Sequence, residues 1–215
     1  IISLVKSLPL ITKTFSGAIK NIKSSNDNSG DRESRDISIK IVALSILALT
    51  ILIWLIPAVP VNLIGAILIV ILGFFFATVS SRMVGLVGSS NNPVSGMAIA
   101  TLLIATLVLK FTGSNGFGGM ASAIAIGSVI CIVSAISGDT SQDLKTGYIL
   151  GATPRKQQIG EIIGVVVASL AIGSTLYLLD YAWGFGSDEL AAPQATLMKI
   201  LVEGVMGGNL PWGLV

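Results

Sequence analysis

The sequence predicts an all-α, polytopic transmembrane helix bundle, with a broken helix near 84–97 and a short helix near 140–150. Three observations predict it. Of the 215 residues, 53% are apolar and only 11% are charged, where a soluble domain carries about 25% charge. The mean hydropathy is +0.88. The apolar residues gather into runs long enough to cross a bilayer, since about 20 helical residues cover a hydrocarbon core of about 30 Å. These runs show no alternation of apolar and polar positions, so a barrel strand does not fit them. A backbone in lipid must pair its own polar groups, which leaves the helix. An ordinary cytosolic enzyme, a disordered tail and a nucleic-acid binder are excluded.

Residues 1–36 are the polar part. A modest apolar stretch from Ile1 to Phe15 gives way to NIKSSNDNSGDRESRD. That composition cannot bury enough apolar area to offset its ordering entropy, so about 24–35 reads as a flexible hydrophilic loop. Residues 1–20 read as the end of a preceding membrane or interfacial helix. The chain opens on Ile and stops in an unfinished run at Leu214-Val215, so a longer protein is expected. The start lacks the basic region and cleavage site of a signal peptide. Residues 37–215 read as a transmembrane region. Its spans are expected at about 37–56, 61–79, 93–111, 120–137 and 154–179, with a partial helix over 194–215.

Charge placement orients these spans. Lys6, Lys13, Lys20, Lys23, Arg32, Arg35, Arg82, Lys145, Arg155 and Lys156 fall on one side, while the opposite connections 57–60, 112–119 and 180–198 hold no Lys or Arg. The positive-inside rule makes the first side cytoplasmic, and a bacterial or archaeal inner membrane is the expected location. Lys40, Lys110 and Lys199 lie near predicted ends, where snorkelling explains them.

Between the second and third spans, VGLVGSSNNPVSGM interrupts the apolar pattern. Asn92-Pro93 reads as an N-cap followed by proline at the first helical position. The free N–H groups of such an end carry partial positive charge. At depth in a transporter they hold anionic substrate groups; otherwise the stretch is a well-capped cytoplasmic loop. GSNGFGG over 113–119 lacks the Gly-Lys-Ser/Thr of a phosphate loop and reads as a tight turn.

SGDTSQDLKTGYILGATPRKQQIGE, 137–161, is the richest segment. Thr140 and Asp143 have the spacing of a capping box. Asp139, Gln142, Asp143 and Thr146 recur at i, i+3, i+4 and i+7, which places them on one helix face. Gly151 ends that helix and Thr153-Pro154 opens the next. Arg155 and Lys156 then sit in a first turn where cations are disfavoured, tolerable if they face anionic lipid or Asp139 or Asp143. Glu161 follows within a long apolar run; such a residue faces a bundle interior or a cavity, unless it lies at headgroup level. Gly160, Gly164 and Ala168 form a small-residue ridge beside it, suited to close helix contact.

The chain has no histidine and a single cysteine, Cys131, inside an apolar run. Catalytic His dyads, Cys-based metal cages and intrachain disulfides are therefore excluded, and no catalytic residue, metal site or cofactor is expected.

The block at 137–158 resembles a signature of the oligopeptide transporter family, in its prokaryotic branch related to the yellow stripe-like metal-chelate transporters. Asn92-Pro93-Val94-Ser95-Gly96 agrees with an NPxxG element of that branch. Members are polytopic, so the chain resembles a C-terminal-side portion of one. The resemblance implies a non-enzymatic, proton-coupled uptake of small peptides or peptide-like metal chelates. Substrate contacts are then expected among Asn91, Asn92, Pro93, Gly96, Asp139, Thr140, Gln142 and Asp143, and proton coupling through Glu161, the one acid within a long apolar segment, or else Asp139 or Asp143. Expected partners are the substrate, protons, the lipid bilayer and the remaining helices of the same transporter, with a homo-oligomer compatible and no nucleic acid. A channel-like pore or a non-catalytic membrane scaffold is the alternative. A membrane-embedded enzyme is poorly equipped here.

Overall fold

The computed structural model describes residues 36–114 and 116–208. The polar loop over 1–35 with its preceding helix end, and the close of the partial helix beyond 208, lie outside the described residues. Six α-helices follow one another: α1 Ile39–Leu55, α2 Leu63–Val87, α3 Val94–Phe111, α4 Gly116–Ile149, α5 Pro154–Trp183 and α6 Pro193–Gly207, and the described residues contain no strand. The all-α reading holds. Four passages are long and apolar enough to cross a membrane: α2, α3 with the turn before it, α4 and α5. With 17 residues α1 is shorter, about 25 Å long.

The ends of α2, α3 and α4 show that they run antiparallel in turn. Asn62, which caps α2 by accepting from the Gly65 N–H at 2.8 Å, also donates to Ser114 Oγ between α3 and α4 at 3.2 Å. At the opposite end, the Ser89 N–H after α2 donates to Gln142 of α4 at 2.7 Å. Phe76 of α2, Leu109 and Ala105 of α3, and Ala123, Ile126 and Ile130 of α4 form the common core, with Val202 of α6 added to it. Glycine lets α3 and α4 approach closely: a Cβ on Gly127 would lie 2.7 Å from Leu102 Cδ2.

Lys110, at the end of α3, does not simply reach for water. Its Nζ donates to the Val205 carbonyl at 2.8 Å, in the last turn of α6. The C-terminal end of α6 therefore returns to the same end of the bundle as the α3–α4 turn. By contrast, α1 and α5 bury no residue. The ridge of Gly160 and Gly164 on α5 has nothing within 4 Å of an added Cβ.

The break near 84–97 is present. α2 stops where Gly88 takes φ 100°, and a 3₁₀ turn, Ser89–Asn91, precedes α3. The reading of Asn92 as the N-cap is corrected. Asn92 is extended at φ −71°, ψ 117°, as the residue before proline prefers. Pro93 itself is the N-cap, without a side-chain cap bond. The Asn92 side chain is taken by α2 and α4 instead.

A second correction concerns 140–150. No separate short helix forms there; these residues are the last turns of the 34-residue α4. Thr140 is thus mid-helical, not a cap. Gly138 does not stop the helix, because its missing side chain serves packing: a Cβ there would fall 2.9 Å from both Ser80 Oγ and Val84 Cγ2. The reading of Gly151 as the stop and Pro154 as the next start stands. Gly151 has φ 72°, a left-handed turn that favours glycine.

Candidate functional site at the end of α4

The apolar stretch of α4 gives out at Gly138-Asp139, so its last turns, with the break after α2 and the start of α5, lie at one edge of the apolar layer. Two neighbouring faces of α4 carry separate polar contacts.

The first face meets the break. Ser80 Oγ donates to the Ser134 carbonyl at 2.5 Å and lies 3.1 Å from Asn92 Oδ1, so its single proton is shared between two acceptors. Asn92 Nδ2 donates to the same Ser134 carbonyl at 3.2 Å. Ser81 Oγ donates to the Ser137 carbonyl at 2.9 Å, and Ser141 Oγ returns a bond to the Ser81 carbonyl at 2.8 Å. Gln142 Oε1 accepts from the Ser89 N–H, and Lys145 Nζ donates to the Gly85 carbonyl at 2.6 Å. These bonds pair groups of the irregular backbone with protein, as a break bordering an apolar layer requires.

The second face meets α5. Thr140 Oγ1 donates to Glu161 Oε2 at 2.9 Å. Asp143, on the same side of α4, lies near enough to Glu161 for its charge to act there. Glu161 Oε1 is shielded from solvent with no donor among the described residues. Gln157 Nε2 donates to the Asp143 carbonyl at 3.2 Å. Gln157 also lies over Gly147, where an added Cβ would collide with its carboxamide. Two ionised carboxylates near each other repel, and a proton on one of them relieves that repulsion.

Of the residues singled out in the sequence, Asn92 and Gln142 join the first face, and Thr140, Asp143 and Glu161 the second. Asn91, Pro93, Gly96 and Asp139 are exposed, and an added Cβ at Gly96 would meet nothing within 4 Å. The single polar face expected from 139, 142, 143 and 146 is divided: adjacent residues project about 100° apart, so Gln142 and Asp143 reach different neighbours. The expected pairing of Asp143 with Lys145, Arg155 or Lys156 is absent. Among the described residues the only ion pair joins Lys199 and Glu203 at 3.8 Å. Ser80, Ser81, Ser134 and Gln157 went unnoticed in the sequence. The signal available was the spacing of Ser134, Ser137 and Ser141 along an otherwise apolar helix face.

Residues 2–215 match the family described as OPT oligopeptide transporter protein. A Haemophilus influenzae protein assigned as an oligopeptide transporter is 38% identical over 165 residues, covering 67% of this chain and 26% of that relative. An Arabidopsis thaliana protein assigned as a metal-nicotianamine transporter is 34% identical over 102 residues, covering 44% of this chain and 14% of the relative. A further metal-nicotianamine transporter of that plant is 28% identical over 106 residues, covering 48% and 16%. The chain thus spans a minor part of each relative's length. No solved structure matches it.

Proposed function

Because the chain belongs to the OPT oligopeptide transporter family, we propose that it is part of a secondary active transporter that moves small peptides or peptide-like metal chelates, driven by protons, across a bacterial or archaeal inner membrane. The family is one of transporters, and the apolar helices make this an integral membrane chain. One observation supports the driving force: Glu161, bonded to Thr140, lies near a second acid, Asp143, at the joint of α4 and α5. A pair of acids that holds one proton in one arrangement and none in another couples proton release to movement between the helices.

In this reading Glu161 and Asp143 are the proton carriers, with Asp139 held as the outer candidate. Asn91, Asn92, Pro93, Gly96, Thr140 and Gln142, together with both aspartates, line the substrate route beside the break. The remaining helices of the transporter cover α1 and α5. Relatives bearing the names oligopeptide and metal-nicotianamine transporter support this substrate class.

Proteoliposomes holding the complete protein test this reading. An inward proton gradient should drive accumulation of a di- to pentapeptide or an iron chelate above its external concentration. Flux that only equilibrates the solute, whatever the gradient, would assign a channel-like pore instead.

A further inference from the structure

Helix α5 buries no residue, and an added Cβ at Gly160 or Gly164 would meet nothing within 4 Å. Among the described residues, the side-chain bonds that tie it to α4 come from Gln157 and Glu161, both near its start. We infer that Gln157 is a positioning residue for the acid pair: seated in the notch that Gly147 leaves in α4, it sets where Glu161 stands against Thr140 and Asp143. The inference rests on the proton-coupling reading and adds to it the residue that sets the pH response of the joint.

The turn between α4 and α5 is closed by its own backbone. The Ala152 N–H donates to the Gly147 carbonyl at 2.8 Å and the Gly151 N–H to the Tyr148 carbonyl at 3.2 Å, the pair of bonds that ends a helix on a left-handed glycine. Gly147 is buried, although Tyr148, Ile149 and Leu150 after it are exposed. The carboxamide of Gln157 covers it, and an added Cβ would collide with that group. From this notch Gln157 Nε2 donates to the Asp143 carbonyl at 3.2 Å. Glu161 follows four residues later, a neighbour on the same helix face, and accepts from Thr140 at 2.9 Å. A side chain at 147 would push Gln157 outwards, and Glu161 would move with it.

Few charges surround Glu161. From α4, Asp143 lies near it, Asp139 is exposed one turn earlier, and Lys145 is turned to the Gly85 carbonyl. On its own helix, Arg155 and Lys156 are exposed and join no ion pair among the described residues. Before α1, Asp36 is exposed, and the Ile37 N–H donates to Gln158 at 3.2 Å. The repulsion between Glu161 and Asp143 therefore depends on how closely α5 approaches α4, since it varies inversely with their separation. Gln157 carries no charge, so it acts on proton uptake through this geometry.

The complete protein in nanodiscs tests the inference, titrated with acid while the infrared band of protonated carboxyl groups is followed. The part of that band lost in Glu161→Gln belongs to Glu161. Gln157→Ala and Gly147→Ala should each displace its midpoint by about one pH unit, a change of about tenfold in proton affinity. The double variant should displace it no further, because both substitutions act through one contact. Gln158→Ala, which frees the Ile37 N–H and leaves the notch filled, should keep the wild-type midpoint. Where truncation prevents folding, Gln157→Met, which keeps the bulk over Gly147 and loses the bond to Asp143, carries the same expectation. Wild-type midpoints in the folded Gln157 and Gly147 variants overturn the inference, even if their thermal stability falls, as do displacements that add in the double variant. Uptake under a proton gradient is followed on the same preparations. Uptake that persists with unmoved midpoints sinks the positioning role alone; displaced midpoints without any uptake sink the transport reading alone.

Discussion

Asn92 Nδ2 sits where a side chain at residue 138 would have to be: a Cβ on Gly138 would lie 2.5 Å from it. From that place it donates to the Ser134 carbonyl at 3.2 Å. The break after α2 is thus seated directly on the backbone of α4, and the two motifs that resemble one family are in contact.

Gly138→Ala should therefore destabilise the fold. The added methyl meets Asn92, Ser80 Oγ and Val84 Cγ2, all at 2.9 Å or less, and overpacking of this kind costs about 1–3 kcal/mol. Thermal unfolding of the detergent-solubilised protein should show a lowered midpoint.

Asn92→Leu should cost more than Pro93→Ala. Leucine removes two hydrogen bonds, to the Ser134 carbonyl and beside Ser80, each worth about 0.5–1.5 kcal/mol, and puts a branched apolar side chain against Gly138. Pro93 is exposed and makes no side-chain cap bond, so alanine there only loosens a preset φ, worth about 0.4–1 kcal/mol. Equal losses in the two variants would mean that proline, not asparagine, fixes the break.

How much of this was legible in the sequence follows from what each residue's neighbours are. The helices and the break were readable, because apolar length and the pair Gly88 and Pro93 act locally. Gly151 and Pro154 marked the α4–α5 joint for the same reason. The roles of Asn92 and Gly138 were not readable. Asn92 has a plain local meaning as a cap and Gly138 has none, and both positions are decided by a contact with another helix. Asp143 likewise has three nearby cations in sequence, yet among the described residues it forms an ion pair with none of them, and a second acid lies near it across the joint. Facing directions between helices are set by packing, which a single sequence does not state.

Lys110→Met should weaken the seat of α6. The ammonium bonds the Val205 carbonyl at 2.8 Å, near the negative end of that helix, where a cation contributes about 0.3–1 kcal/mol, rising to about 2 in a partly buried site. Methionine keeps the apolar stem and removes the charge and donor. Hydrogen exchange of the 200–208 amides should quicken, while exchange in α4 stays as it was; quickening throughout would point to a general loss of stability.

Glu161→Gln tests the coupling assignment most directly. Glutamine keeps the shape of the side chain and its acceptor for the Thr140 hydroxyl, and its amide offers a permanent donor towards Asp143. The repulsion between two carboxylates disappears, so the joint of α4 and α5 is held as though a proton were always present. Folding and substrate binding should survive, whereas accumulation driven by an imposed pH gradient should fall to the level of passive exchange. Thr140→Val should behave differently. It removes the donor to Glu161 Oε2 but leaves both acids able to take a proton, so uptake should persist with its pH profile displaced. If Glu161→Gln accumulates substrate with the wild-type pH profile, the coupling proton is carried elsewhere, at Asp139 or in the rest of the transporter, and the acid pair is a structural contact.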